Sequence, residues 1–86
     1  MRNIIEQLIR EIPTGCYFDS HYIIRMLILK HSSEYNRFSR TGTLSKHGRI
    51  GQIIRQCNGV TEVKDYKSFS ENIHARGSRC TLWLRK

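Results

Sequence analysis

The sequence predicts an α+β fold: three helices and a small antiparallel β-ribbon with a short third strand. Two observations on pattern carry this expectation. Apolar residues recur at helical spacing in the stretches 3–12, 20–31 and 45–58. β-branched and aromatic residues interleave with polar ones at 60–66 and 80–85, and more briefly at 16–18. A third observation sets the scale. A chain of 86 residues has room for one small core, so residues 1–86 are read as a single domain.

In the first helix, Ile4, Ile5, Leu8, Ile9 and Ile12 fall on one stripe. Asn3 is placed to cap its start, with Glu6 as the capping-box acid, and Pro13 and Gly15 end it. Cys16, Tyr17 and Phe18 form the short β-type run, with Tyr17 and Phe18 as core candidates. Asp19 or Ser20 then caps the second helix. Its stretch 22–29 is apolar nearly all round except for Arg25, the pattern of a buried central helix. It is far too short to span a bilayer.

Residues 31–43 are polar, and Tyr35 and Phe38 are expected to pin them to the core through one short helical turn. Thr43 or Ser45 caps the third helix, and Asn58-Gly59 stops it. The two longer strand-like runs are separated by residues 67–79, too many for a tight hairpin turn, so an extended loop is expected there. Trp83 in the last strand reads as a core anchor.

The formal net charge is +8, and the sequence pI is near 9.9. Between Tyr35 and Thr61 there is no acidic residue, while Arg37, Arg40, Lys46, Arg49 and Arg55 all fall there. Such a surface suits a polyanion, and duplex DNA is the partner expected first. An anionic membrane surface would call for a basic amphipathic helix with exposed Trp or Phe, so no membrane partner is expected. The N-terminal residues meet Glu6, Arg10 and Glu11 too soon for a signal peptide, and the three cysteines have no CxxC spacing. Free cysteines suit a reducing cytosol, and a cytoplasmic, nucleoid-associated location is the expectation. Cys57 and Cys80 read as small buried hydrophobes. A metal site would have to be built from Cys16 and His21 with distant partners, so neither metal nor cofactor is expected. HExxH, GxSxG and P-loop motifs are lacking, and of the seven acids only Glu62 and Asp65 lie close together. No enzyme activity is expected.

The order of helix, short strand, two helices and β-ribbon, carried over residues 4–84, resembles the winged helix-turn-helix superfamily. The run Lys46-His47-Gly48-Arg49-Ile50-Gly51 suggests a small phage or bacterial type. The resemblance implies that the third helix enters the major groove of DNA, and that the ribbon serves as a wing along the phosphates or in the minor groove. Two features depart from the pattern. About a dozen residues join the second and third helices, where a standard helix-turn-helix uses about 3–4. The wing loop is also long.

With Ile50 at the centre of the buried face, Ser45, Gly48, Gln52 and Arg55 point away from it, and Arg49 and Gln56 flank them. Arg can fork onto guanine and Gln can pair bidentately with adenine, so Arg49, Gln52 and Arg55 are the expected base readers. Lys46 is assigned to a phosphate. His47 is equally a helix-start hydrogen-bonder or a DNA contact. Gly48 and Gly51 weaken the helix and need a reason: close approach to DNA, or close packing against another helix. In the wing, Lys64, Lys67, His74, Arg76 and Arg79 form a second cationic group, and Asn72 and Gly77 suit turn geometry. Arg76 is the leading candidate there for a phosphate or minor-groove contact. The expected function is duplex DNA binding, sequence-specific or sequence-tolerant, as a transcriptional regulator or phage-type accessory factor. The rival expectation is a protein-interaction module whose basic face docks an acidic partner in a nucleic-acid-handling complex. RNA binding ranks third.

Overall fold

A computed structural model describes residues 1–38 and 45–86. Arg40 and the alternative cap Thr43 lie outside the described residues. The elements are α1 (Arg2–Arg10), β1 (Tyr17–Asp19), α2 (Ser20–Lys30), α3 (Ser32–Arg37), α4 (Lys46–Gln56), β2 (Val60–Glu71) and β3 (Gly77–Arg85). The three strands form one antiparallel sheet in the order β1-β3-β2. Among the described residues no helix is long and apolar enough to cross a membrane.

The apolar stripes build the core. Ile5, Leu8 and Ile9 of α1, Ile23, Ile24 and Leu27 of α2, and Ile50 and Ile54 of α4 pack around Phe18, Cys57 and Trp83. The Trp83 indole N–H donates to Ser20 Oγ at 3.0 Å, so its polar edge is satisfied inside the core. Asp19 caps α2, its Oδ1 accepting from the Tyr22 amide at 2.9 Å. Ser45 caps α4, its Oγ accepting from the Gly48 amide at 3.1 Å.

Several expectations need correction. The helices number four among the described residues, because the turn expected around Tyr35 and Phe38 is a separate helix, α3. Asn3 does not cap α1, which starts one residue earlier with Met1 as its cap and no side-chain cap bond. Glu6 pairs instead with Arg2, at 3.6 Å. The helix also stops at Arg10, although Ile12 beyond it remains buried. Tyr17 is 62% exposed while Phe18 is buried, because successive strand residues face opposite sides. α2 is not buried all round either, since Leu29 is 71% exposed.

The largest correction concerns residues 67–79. They are not a loop: β2 continues to Glu71, and β3 begins at Gly77. Only residues 72–76 turn, held by Asn72, whose Oδ1 accepts from the amides of His74 and Arg76 at 2.9 and 3.3 Å. The inward positions of this ribbon are polar, which hides the strand from an apolar pattern. Ser68 Oγ donates to Asp19 Oδ2 at 2.7 Å, and Ser70 Oγ meets His21 Nδ1 at 2.8 Å. Arg25 donates to the Glu71 carbonyl at 3.0 Å. Hydrogen bonds thus lay the ribbon along α2. Nearer its base, β2 bulges, with residues 63–66 standing between the pairs Glu62–Trp83 and Lys67–Thr81.

Candidate nucleic-acid interface

One cleft gathers part of the expected site. Gly48, Gly51, Gln52 and Arg55 of α4 form one wall, and Arg79, Cys80 and Thr81 of β3 form the other. Ser20, His21, Ile24 and His47 complete the lining, around a volume of about 300 Å³. The face of α4 opposite Ile50 therefore opens toward the ribbon. A Cβ added at Gly51 would meet nothing within 4 Å apart from its own helix, so close helix packing does not explain that glycine. Gly51→Ala is expected to stabilise the fold by about 0.5–1 kcal/mol, because it stiffens the unfolded chain without a clash. The same methyl group would project into the cleft, and the affinity of any ligand seated there is expected to fall. A urea melt and an anisotropy titration on one preparation read both signs.

The two arginines of α4 expected to read bases are engaged within the chain. Arg55 Nε lies 3.0 Å from Glu62 Oε1, and its guanidinium stands 5.8 Å from the Trp83 ring centroid. The acid that the α4 stretch lacks is thus supplied by the neighbouring strand. Glu62→Gln removes that competitor. Half-exposed pairs of this kind contribute about 0–1 kcal/mol, so stability should change little while Arg55 is released toward any anion that the cleft holds. Arg49 is half-buried with its guanidinium 5.0 Å from the Phe38 ring centroid. Gln52 is exposed and faces the cleft.

The remaining expected residues are spread more widely. Lys46 Nζ donates to the Tyr35 carbonyl at 3.0 Å and lies 4.3 Å over the Tyr35 ring. With the cap residue Ser45 it lines a second hollow, bounded by Tyr35, Phe38 and Ile73. Gln56 is exposed, and its backbone carbonyl accepts from Arg2 of α1 at 2.9 Å. Lys64 sits on the bulge of β2, and Lys67 lies on the exposed face of the ribbon. His74 and Arg76 are exposed at the tip. Of the wing residues, Arg79 alone among those expected lines the cleft with Gln52 and Arg55. The sequence reading missed Ser20, His21 and Thr81 as cleft residues. The cap at Asp19 was the available signal, since it places His21 in the first turn of α2.

His47 has a structural role: its Nε2 meets Tyr35 Oη at 2.7 Å. Burial first, then the charges of Lys46, His21 and His74, hold its pKa below the ordinary 6.5. Burial pushes the Tyr35 phenol up, so the phenol keeps its proton beside the imidazole. The unfolded chain therefore binds the proton more readily than the native one. Stability from His47 is present above pH 6.5 and is lost as pH falls through the lower native value. The melting temperature should drop as pH falls below 6.5, and His47→Gln should flatten that part of the profile. For Asp19, burial acts upward but is outweighed by bonds from Ser68, Ser70 and the Tyr22 amide and by the charge of His21. Its contribution is separately lost as pH falls below 3.8 and through its lowered native value.

Comparison with protein-family models, with curated proteins and with solved structures gives no match to this chain.

Proposed function

We propose that this protein binds duplex DNA as a winged-helix-type domain, with α4 and β3 as the two contacting elements. The observation that carries this reading is the open cleft in which Gln52, Arg55 and Arg79 converge beside the side-chain-free positions Gly48 and Gly51. Three further features support it. The order of elements and the sheet order β1-β3-β2 fit a helix-plus-wing arrangement. The net charge of +8 favours a polyanion. Arg76 and His74 extend the cationic surface to the ribbon tip.

In this reading Arg79 and Arg76 neutralise phosphates, and Gln52 reaches a base edge. Arg55 joins them when phosphate competes successfully with Glu62. Arg49 and Lys46 act from their stacked positions on Phe38 and Tyr35, where the rings hold the charges near the mouth of the surface. Such a protein would serve as a transcriptional regulator or as a phage-type accessory factor. A low-salt competition among random duplex, single strand and RNA tests the reading. Duplex should be bound at micromolar concentrations and should displace the other two. A preference for single strand or RNA, or for an acidic protein over every nucleic acid, would overturn it.

A further inference from the structure

Asp19, His21 and Cys80 come from the cap of α2, its first turn and β3, yet one ligating atom from each lies within 4.8 Å of the others. Among the described residues this is the one place where three such side chains converge. We propose that these three residues bind a single Zn²⁺ ion, with its fourth coordination position open to the cleft between α4 and β3. This proposal stands apart from the DNA-binding reading.

The donor set argues for that ion. One carboxylate oxygen, one imidazole nitrogen and one thiolate sulfur suit borderline Zn²⁺, whereas Mg²⁺ and Ca²⁺ take oxygen ligands. Tetrahedral bonds of about 2.0–2.3 Å place ligand atoms roughly 3.3–3.8 Å apart. The observed separations, all within 4.8 Å, exceed that by no more than on the order of 1 Å. All three residues are half-buried, and Asp19 and His21 sit at the start of α2, so part of the ordering cost is met by the fold.

The surrounding hydroxyls complete the arrangement. The two ring nitrogens of His21 stand 2.8 Å from Ser70 Oγ and 3.4 Å from Ser78 Oγ. Whichever nitrogen ligates, the other keeps its serine and fixes the ring. Asp19 is similarly held, with Oδ1 on the Tyr22 amide and Oδ2 accepting from Ser68. The cleft reaches both His21 and Cys80, which leaves space for water or a ligand atom in the fourth position. Only the thiolate ligates, so metal uptake releases the Cys80 proton.

Co²⁺ is the probe, added to chelator-treated, tag-free protein and then displaced by Zn²⁺. One equivalent should produce intense tetrahedral ligand-field bands and a thiolate-to-cobalt charge-transfer band, with Kd below about 10 µM. Cys80→Ser should abolish the charge-transfer band, and His21→Gln should weaken binding at least about 100-fold, beyond the ~10–100-fold of a second-shell change. Cys16→Ser should leave both unchanged. A weak octahedral spectrum, the lack of a charge-transfer band in the unsubstituted protein, or unchanged affinity in Cys80→Ser would each overturn the proposal. The spectrum of the unsubstituted protein decides by itself if a variant fails to fold.

Discussion

Trp83→Ala is expected to unfold most of the domain near room temperature or to leave it barely stable. The side chain is 1% exposed and belongs to the same cluster as the buried residues of α1, α2 and α4. Large-to-alanine changes at such aromatic positions cost about 3–5 kcal/mol, as lost burial plus a cavity. A chain of this length has roughly 4–13 kcal/mol in total, at about 0.05–0.15 kcal/mol per residue. The substitution also strands Ser20 Oγ, which now accepts the indole N–H in the core. Far-UV circular dichroism in a urea series gives the measurement, because the sole tryptophan is removed as a fluorophore. Trp83→Phe should fall between the two, since it keeps most of the volume but loses the hydrogen bond. A melt of Trp83→Ala within a few degrees of the unsubstituted protein would show that the three helices do not share this anchor.

The second large effect is on binding. Arg79→Glu should lower affinity for every duplex by on the order of 10–100-fold at low salt. Arg79 is exposed, is among the residues that line the cleft with Gln52 and Arg55, and pairs across the strands with Phe69 on a solvent-facing part of the ribbon. A carboxylate there would repel phosphate and offer Arg55 another partner inside the protein. The fold should hardly notice, because exposed substitutions away from special contacts stay within about 0.5 kcal/mol. Gln52→Ala makes the informative contrast. It should leave affinity for random duplex nearly unchanged and remove about 1–3 kcal/mol of discrimination at one base pair. Fluorescence anisotropy on a small panel of duplexes separates the two patterns. Equal losses on all sequences for both variants would assign Gln52 to the backbone.

The apolar faces of the helices were legible from sequence because they depend on local periodicity. Ile5, Leu8 and Ile9, like Ile50 and Ile54, are buried on the stripes that their spacing marks out. Trp83 as an anchor was legible for the same local reason, and so were the caps as pairs of candidates, Asp19 or Ser20 and Thr43 or Ser45, of which Asp19 and Ser45 make the cap bonds. The ribbon was not. Ser68, Ser70 and Ser78 have little strand preference, and their pairing with Asp19 and His21 joins residues about fifty positions apart. Glu62 beside Arg55 was invisible for a related reason. A helical wheel places charges around one helix and says nothing of an acid arriving on the next strand. Half of the candidate site was therefore readable as a helix face, and its other wall, together with His21, emerged only from tertiary pairing.

The slope of log affinity against log salt for random duplex DNA tests the central claim most directly. Neutralising about 5–6 phosphates should give a slope near −5, and Arg79→Glu should make it shallower by about one or more. A slope near zero, or no duplex binding at tens of micromolar protein in low salt, would contradict the account.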